Sequence, residues 1–176
     1  MTRHIIFIFI LLTGFISCKK SADVPGAQYE GQEQPYCNDP EAINYNYQFP
    51  GTADNMTCIF PTDPFKGMFA LNDTVYTADF ASYYILTDTV NVYAITKTHM
   101  AVVGYCGAYD SIKLTAGRYY RATIDTTMLN GQALCNPRDT ISGIFEADSI
   151  GIKIKFTLNS DTAGIKYHTG RGIRIN

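Results

Sequence analysis

The chain has 176 residues, of which 46% are hydrophobic and 17% are charged, and its formal net charge at pH 7 is −2. This length corresponds to one domain with a small appendage, and the apolar content suffices for a real core. The charge balance excludes nucleic acid as an expected partner, because phosphate recognition needs a clustered basic face.

The first segment carries an export signal that ends in a cysteine. Arg3 and His4 form a short positive region, residues 5–12 form an apolar run, and Cys18 follows a small residue. A plain secretory signal needs no cysteine at its cleavage site, and the apolar run is shorter than the roughly 20 residues of a spanning helix. The pattern is that of a bacterial lipoprotein: residues 1–17 are removed and Cys18 is lipidated, with palmitate as an acyl group. The alternatives are an uncleaved anchor and a plain secretory peptide.

The anchor predicts a location outside the cytoplasm, with the N-terminal lipid in a membrane. Lys19 and Lys20 follow Cys18, without the acidic run that is associated with export to the outer face in similar lipoproteins. We expect an outer-membrane lipoprotein, on either the periplasmic or the cell-surface face. Residues 18–35 are polar and contain Gly and Pro, which is typical of a flexible tether.

Four more cysteines make an even number in an exported chain, which indicates disulfide bonds rather than metal thiolates. They are Cys37, Cys58, Cys106 and Cys135, and none forms a Cys-x-x-Cys pair. Three pairings are possible. We expect Cys37–Cys58 and Cys106–Cys135, because each pair then lies within one module. The first bond would close a loop of about 20 residues and stabilise it by about 3 kcal/mol.

Residues 36–61 are rich in Asn, Asp and Pro and too short for a core of their own. The run Cys37-x-Asp-Pro-x-Ala-x-Asn-Tyr-Asn, which closes with Asp-Asn-x-Thr-Cys58-x-Phe, resembles a Cys-bracketed module of secreted and surface proteins of Bacteroidetes-type bacteria. The usual ending of that module is Asp-Asp-Gly-Ser-Cys-x-Tyr, and this chain departs from it at four positions. The segment is therefore predicted to be a small disulfide-closed loop module.

Oxygen-bearing side chains in this module could ligate calcium. The residues are Asp39, Asn44, Asn46 and Asp54. The Asp-x-Asp-x-Asp-Gly order of an EF-hand is absent, and the acidic-glycine ending of the module is lost. The alternative is that these side chains cap the loop backbone through Asx turns. No other metal or cofactor is expected.

Residues 62–176 show a β pattern throughout. Gly151–Leu158 alternates strictly between apolar and polar residues, which predicts a half-buried strand. No amphipathic helix of four turns is expected. Short strands at 8–12-residue spacing predict an all-β domain, an antiparallel β-sandwich or barrel of about 8–9 strands. The remaining expected strands are Gly67–Leu71, Thr74–Ala78, Tyr83–Leu86, Thr89–Thr96, Met100–Tyr105, Ser111–Leu114, Arg118–Ile124, Asp139–Ala147 and Ile165–His168.

The sequence at the start of this domain also resembles a known pattern. Phe65-Lys-Gly67-x-Phe69-x-Leu-Asn72 and the later Ser-Gly143-x-Phe resemble the small all-β domains of uncharacterised Bacteroidetes-type lipoproteins. Those domains often begin with a Gly-x-Phe strand and an Asn-centred hairpin. The resemblance implies the same fold and a hairpin at Asn72, and it carries no function.

Seven of the twelve aspartates precede Ser or Thr, and all seven lie in the β-domain. The pattern resembles the O-glycosylation acceptor motif of Bacteroidetes-type exported proteins. The alternative is structural, since Asp caps turns and Thr or Ile starts strands. Both interpretations predict exposed hairpin mouths as the location. The candidate attachment residues are Thr74, Thr89, Ser111, Thr126, Thr140, Ser149 and Thr162.

Thirteen tyrosines and no tryptophan make tyrosine the candidate ligand-contact residue. A Tyr ring is apolar and its hydroxyl forms hydrogen bonds with water, so exposed tyrosines stack on sugars or anchor protein contacts. Two adjacent Tyr pairs start at Tyr83 and Tyr119, and neighbours on a strand point to opposite faces. One ring of each pair is expected in the core, and ordinary sheet packing is the alternative. The candidates are Tyr84, Tyr109 and Tyr120.

No HExxH, GxSxG or phosphate-binding glycine loop occurs in the chain. We therefore expect a non-catalytic binding or adhesion role at the cell envelope, with a glycan or a protein as partner. One alternative is an accessory subunit of an outer-membrane complex, which would expose an apolar patch or a strand edge. A small hydrolase is a further alternative, and it would need Glu146, His99 or His168 in a cleft beside another titratable group.

Overall fold

The structure, a computed structural model, describes residues 35–46 and 51–175, and for residues 107–109 it describes the backbone only. The expected signal, the lipidated Cys18 and the tether up to residue 34 lie outside these residues. No helix that is long and apolar enough to cross a membrane occurs in the described part of the chain.

Two single 3-10 turns, Asn55–Thr57 and Asp63–Phe65, precede an antiparallel sheet. The strands are β1 (Gly67–Thr77), β2 (Tyr83–Ala94), β3 (His99–Gly104), β4 (Gly107–Ala116), β5 (Arg121–Ile124), β6 (Gln132–Leu134), β7 (Asn136–Ala147), β8 (Gly151–Ser160) and β9 (Gly164–Ile175).

Eight of these strands close into a barrel in the order β1-β2-β3-β4-β5-β7-β8-β9, and β9 pairs with β1. The closing ladder joins β5 to β7, where Ala122 lies opposite Phe145. β6 is an extra short strand beside β7. The expected all-β fold is confirmed, and of the two expected architectures the chain forms the barrel.

Alternation along the strands builds the core inside the barrel. In β8, Ile152, Ile154 and Phe156 are buried, whereas Lys153 and Lys155 are exposed. This strand has the alternation that its sequence predicts, because a pleated strand sends successive side chains to opposite faces. The largest fully buried side chains come from five strands and from the 3-10 turn before β1: Phe65, Phe69, Phe145, Leu71, Met100, Ile112, Leu114, Ile141 and Ile152.

A buried glutamine completes the barrel wall above β5, which has only four residues. The side chain of Gln132 accepts a hydrogen bond from the Lys113 amide at 2.7 Å and donates to the Lys113 carbonyl at 3.0 Å. It also donates to the Asp125 carbonyl at 3.1 Å. One side-chain amide therefore pairs with the β4 backbone as a strand residue would, which satisfies buried polar groups. β6 was not predicted from the sequence.

The predicted hairpin at Asn72 is wrong, because β1 runs without a break from Gly67 to Thr77. Asn72 and Asp73 look like turn residues, yet both have partners within the sheet. The Asn72 amide oxygen accepts a hydrogen bond from the Thr87 hydroxyl at 3.2 Å. The Asp73 carboxylate lies 2.6 Å from the His168 ring nitrogen inside the barrel. Long-range contacts thus override the local turn preference, and β2 is likewise one strand where two were expected.

Both expected disulfides are confirmed. The Cα atoms of Cys37 and Cys58 lie 4.8 Å apart, and those of Cys106 and Cys135 lie 5.2 Å apart. The first closes the module of residues 36–61. The second joins the β3–β4 connection to the residue before β7.

The module lies at the barrel end where β1 begins. Lys97, in the β2–β3 turn, forms ion pairs with Asp39 and Glu41, and Arg118, in the β4–β5 turn, donates to the Pro40 carbonyl. The hydrogen bond from Lys97 lowers the pKa of Asp39. These contacts dock the loop module on two turns of the barrel.

We expect Gly143→Ala to destabilise the barrel. Gly143 lies opposite Phe156, and a Cβ atom there would be 2.3 Å from the Lys155 carbonyl oxygen and 2.5 Å from the Phe156 Cα atom. Because backbone cannot move aside as a side chain does, the free energy of unfolding in urea should fall by roughly 1–3 kcal/mol. Gly164→Ala is the control, since no atom lies within 4 Å of its Cβ position and only its positive φ adds strain. An unchanged urea midpoint for Gly143→Ala would contradict the close packing of β7 on β8.

Candidate functional site

Four aromatic rings form a cluster on the outer face of the barrel, at the end where β1 finishes. We call Tyr76, Phe80, Tyr83 and Tyr167 the aromatic platform. The ring centroids of Phe80 and Tyr167 lie 4.9 Å apart with nearly parallel planes. Tyr76 lies 5.8 Å from Phe80 and 5.9 Å from Tyr83. Phe80 and Tyr83 are 61% and 67% exposed, so the platform presents apolar ring surface to solvent.

The turn between β1 and β2 holds Phe80 in an unfavourable backbone conformation. Its φ angle is +56°, a left-handed value that a bulky side chain rarely adopts. The Asp79 carboxylate braces the turn by accepting hydrogen bonds from the Thr77 hydroxyl at 2.6 Å and the Ala81 amide at 3.1 Å. These bonds lower the pKa of Asp79. Such strain persists only where the surroundings enforce it, and it is concentrated at functional sites.

An open groove starts at the platform and follows the outer face of β7, β8 and β9. Beside the platform it forms a cavity of about 490 Å³, lined by Ile144, Lys155 and Thr169 among others. These three residues also line a second cavity of about 550 Å³. Glu146 and Lys153 link the second cavity to a third, of about 440 Å³. We call the three together the outer groove. It extends for roughly 20 Å from Ser142 on β7 to Asp148 just after it, at about 3.3 Å per strand residue.

A second pair of aromatic residues lies at the far end of the outer groove. Tyr119 and Tyr120, in the β4–β5 turn, line the third cavity. Tyr119 is 91% exposed, and Tyr120 has a φ angle of +56° like that of Phe80. The Tyr120 carbonyl accepts a hydrogen bond from the Ala147 amide at 2.8 Å, which ties the turn to β7. Each end of the groove therefore carries an aromatic side chain on a left-handed turn residue.

The outer groove contains more cations than anions. Arg171 forms a hydrogen-bonded ion pair with Asp148 at 2.8 Å, and Lys153 lies 3.8 Å from the same carboxylate. Two backbone amides and Arg171 lower the pKa of Asp148, with the Ile150 amide as the largest cause. Lys155 lies between the platform and these pairs, and no carboxylate of the described residues is within 4 Å of its amine. The middle of the groove thus offers a cation to an acidic or hydroxyl-rich ligand.

The sequence-derived tyrosine candidates fall in different places. Tyr120 lines the groove. Tyr84 is 47% exposed on the opposite face of β2 from the platform, with the Lys166 amine 5.6 Å from its ring centroid. Of Tyr109 only the backbone is described. The expectation that one ring of each Tyr pair is buried is wrong, because both rings of both pairs are exposed. The first pair lies on a projecting hairpin and the second in a turn.

The platform residues Tyr76, Phe80 and Tyr167 were missed by sequence reasoning. Phe80 lies in a turn between two strands, where no periodicity marks it. Tyr76 and Tyr167 are neighbours only because β1 pairs with β9. The one available signal was a bulky aromatic residue directly after Asp79, in the gap between two expected strands.

The hydrolase candidates lie in three separate environments. His168 is 7% exposed inside the barrel, where its ring stacks on Phe156 at 4.2 Å and its Nδ1 atom contacts Asp73. Glu146 lies in the outer groove. His99 is exposed at the start of β3, within hydrogen-bond distance of the Thr96 and Thr98 hydroxyls. His168 is thus paired with a carboxylate, but both groups are buried.

The barrel interior holds an unusual polar cluster around that pair. Asp73 is 1% exposed, and Tyr105 contacts the edge of Phe156 with centroids 5.7 Å apart. One atom each of Asp73, Tyr105 and His168 is buried without a hydrogen-bond partner in the described part of the chain. Burial and the nearby carboxylates of Asp73 and Asp88 raise the pKa of Tyr105 well above its usual value.

Three of the four calcium candidates, all but Asn46, use side-chain oxygens in hydrogen bonds within the loop. Asp39 Oδ1 accepts from the Glu41 amide at 3.0 Å, and Asp54 Oδ1 accepts from the Met56 amide at 2.9 Å. The Asn44 side chain bridges the two sides of the module, accepting from the Ile59 amide and donating to the Thr57 carbonyl. These are the kind of hydrogen bonds expected if the side chains cap the loop backbone. Across the described residues, no group of three His, Cys, Asp or Glu side chains is placed to hold a metal.

The Asp-Ser/Thr sites are split between strands and connections. Three candidates, Thr126, Ser149 and Thr162, are exposed in connections between strands. The expected location is wrong for the other four, which lie inside strands: Thr74, Thr89, Ser111 and Thr140. The strands continue through these positions because ladder pairing satisfies their backbone, as it does on both sides of Thr74.

Comparisons with known proteins give little further information. No protein-family profile matches the chain, and no curated protein matches it. One similar solved structure is a structural genomics crystal structure of a protein of unknown function from Bacteroides ovatus, at 12% identity with a TM-score of 0.44. The similarity covers 63% of this chain and 42% of that chain, so the chain spans less than half of that protein's length.

We expect Asp79→Ala to release Phe80 from Tyr167 while leaving the barrel folded. The substitution removes both hydrogen bonds that brace the left-handed turn, and the ring-current shift of Tyr167 in NMR spectra measures the loss. In the unaltered chain the contact should persist at pH values where an ordinary aspartate is already protonated, because the lowered pKa keeps Asp79 charged there, and it should weaken as the pH falls through the folded-state pKa. Asp125→Ala, in another exposed connection, is the control. An unchanged Tyr167 shift in Asp79→Ala would show that the turn does not depend on this carboxylate.

Proposed function

We propose that the protein is a lipid-anchored envelope protein whose barrel binds an extended glycan without catalysis. The observation that carries the proposal is Phe80, which a strained and braced turn holds on Tyr167 at one end of a continuous groove. Exposed rings offer flat apolar faces on which sugar rings stack. The groove beyond the platform supplies hydroxyl and amine groups from Ser142, Thr157 and Lys155 for the polar edges of sugars.

The shape of the outer groove favours a linear polymer over a small molecule. It is open along its length and carries aromatic side chains at both ends, Phe80 at one and Tyr120 at the other. Pockets for small ligands are usually concave and bury most of the ligand surface. The cations in its middle, Lys153, Lys155 and Arg171, favour a polymer that bears acidic groups.

The position of the platform is consistent with an anchor at the N-terminus. The chain enters the described region at residue 35 in the loop module, which is docked where β1 begins. The platform lies at the other end of β1. A lipid on Cys18 would therefore be joined to the barrel through the loop module, at the end of β1 opposite to the platform.

An accessory role in an outer-membrane complex is the second candidate function. The observation that favours it is an exposed strand edge at the start of β2, at Tyr83–Asp88, which is the feature expected of a subunit that docks on another protein. The accessory role would use the backbone edge of β2, whereas glycan binding would use the outer face of the barrel, and Tyr83 belongs to both surfaces.

We expect Phe80→Ala and Tyr167→Ala each to weaken glycan binding about tenfold. Removing one stacked ring costs about 1.4 kcal/mol, which is a factor of ten in Kd. Affinity electrophoresis of the full mature chain measures it, with dextran and xylan as neutral polysaccharides and polygalacturonate as an acidic one. Tyr93→Ala is the matched control, since Tyr93 is 45% exposed on β2 and lines none of the three cavities.

The glycan proposal fails if none of these polysaccharides retards the wild-type chain, or if Phe80→Ala binds as tightly as Tyr93→Ala. Retardation by polygalacturonate that disappears at high salt would locate the contribution of the cations, because screening weakens exposed charge pairs.

We expect Cys18→Ser to abolish lipid attachment and to release the protein from membranes. The thiol of Cys18 is the proposed acylation site, so its hydroxyl replacement should incorporate no labelled fatty acid. Fractionation and intact mass compare the variant with the wild-type chain. Ser17→Ala, which keeps a small residue before the cysteine, is the control. A Cys18→Ser chain that stays acylated and membrane-bound would overturn the anchor.

A further inference from the structure

The first half of β2 has a hydrogen-bonding edge that no strand covers in the described part of the chain. β2 pairs with β1 from Tyr83 to Val92, whereas its other edge pairs with β3 only over residues 91–94. At the end of β3 the backbone of Gly104 packs closely on Thr89, since a Cβ atom on Gly104 would lie 2.5 Å from the Thr89 carbonyl oxygen. Beyond that point β3 ends. The segment Tyr83–Asp88 is therefore an open strand edge.

This edge lacks the devices that usually prevent edge-to-edge association. Tyr83, Tyr84, Ile85 and Leu86 are 67%, 47%, 62% and 37% exposed, and no charged residue occurs between Phe80 and Thr87. Natural edge strands are normally protected by lysine, proline, a bulge or a covering element. Residues with high β-propensity and no charge instead make a surface suited to strand addition.

We infer that this edge binds the same edge of a second copy of the chain. The two β2 strands would lie antiparallel across a twofold axis, so that two barrels share a continuous sheet. A twofold axis perpendicular to the sheet maps each face onto itself, and therefore only residues of the same face oppose each other. The edge shares Tyr83 with the aromatic platform, but none of its residues lines the three cavities of the outer groove. The inference therefore does not rest on the proposed glycan binding.

One register covers the whole apolar segment. With the axis at Ile85, that residue lies opposite Ile85 of the second copy, Tyr84 lies opposite its Leu86, and Tyr83 lies opposite its Thr87. Each of these is a favourable cross-strand pair. Asp88 then faces Ser82 of the second copy, so no two carboxylates meet.

Neighbouring registers are worse. Moving the axis to Leu86 would set Asp88 against Tyr84 and would require pairing at Thr89, where Gly104 already lies. Moving it to Tyr84 would leave Thr87 against Ala81 in the turn. The sequence of the edge is therefore complementary to itself in one register.

The size of the contact predicts a weak dimer. An aromatic side chain buries about 150–250 Å², so two tyrosines that are about half to two-thirds exposed contribute roughly 200 Å² per copy. With Ile85 and Leu86 the total for both copies stays below the about 1,200 Å² of a standard interface. Association should therefore depend on concentration, and the test must trap it.

Disulfide trapping of the full-length chain tests the register. Opposite Cα atoms in an antiparallel pair lie about 4.5–5.5 Å apart, within the range of a disulfide bond. Ile85→Cys should convert most of the chain to a species of twice the mass on non-reducing gels after mild oxidation. Thr87→Cys is the matched control, because two such residues would lie about 13 Å apart, and it should stay at the wild-type level. The wild-type chain is a further control, because any dimer that it forms on the gel would be linked through Cys18 and not through residue 85.

A charge at the axis gives a second measurement that needs no oxidation. Ile85→Lys sets two like charges opposite each other and should abolish the concentration-dependent rise in mass seen by light scattering. Ile173→Lys is the control, because Ile173 is 45% exposed on β9 but has strands on both sides. Melting temperatures equal to wild type establish that both variants fold.

The inference is overturned if Ile85→Cys links no more than Thr87→Cys, or if the wild-type mass is monomeric at every concentration. It is equally overturned if Ile85→Cys in intact envelopes links to a different protein, since the edge would then belong to a heterologous partner.

Discussion

Closure of the barrel by β5 and β7 is the constraint on which the other features depend. β5 has four residues and β3 has six, whereas β1, β2, β7 and β9 have eleven or twelve. A closed sheet requires every strand to pair with two neighbours. The short strands β3 and β5 can provide this pairing only over part of the barrel's height. Above β5, Gln132 takes over the pairing with β4. On the long side the β1–β2 hairpin projects past its neighbour. Both the aromatic platform and the open edge are consequences of this difference in strand length.

The fold class and both disulfides could be predicted because their signals are local. β8 shows strict alternation, and an even number of cysteines in separate modules indicates their pairing. β1 could not be predicted as one strand, since Asn72-Asp73 has the composition of a turn. The partner that makes Asp73 compatible with a strand is His168, 95 residues later. Sequence patterns describe a residue's neighbours along the chain, and a buried polar pair depends on a neighbour in space.

The candidate site was less predictable than the fold for the same reason. Tyrosine abundance singled out aromatic residues as candidates, and these included Tyr120, which lines the outer groove. The platform, however, needs a turn residue, Phe80, to meet two residues of paired strands, Tyr76 and Tyr167. A left-handed φ at a phenylalanine has no signature in composition or periodicity. Its cause is the bracing of the turn by Asp79, which only the three-dimensional hydrogen bonds reveal.

The buried pair of Asp73 and His168 also bears on how the chain folds. It joins the first and the last strands of the barrel, in a ladder where Val75 lies opposite His168. A slip of one residue would turn Asp73 to the outer face and leave His168 alone in the core, which is costly for a buried polar group. The pair thus acts as a register lock for the ladder that joins the two ends of the domain. Because such non-local pairing is slow to form, the barrel cannot complete its core until β9 has emerged and docked.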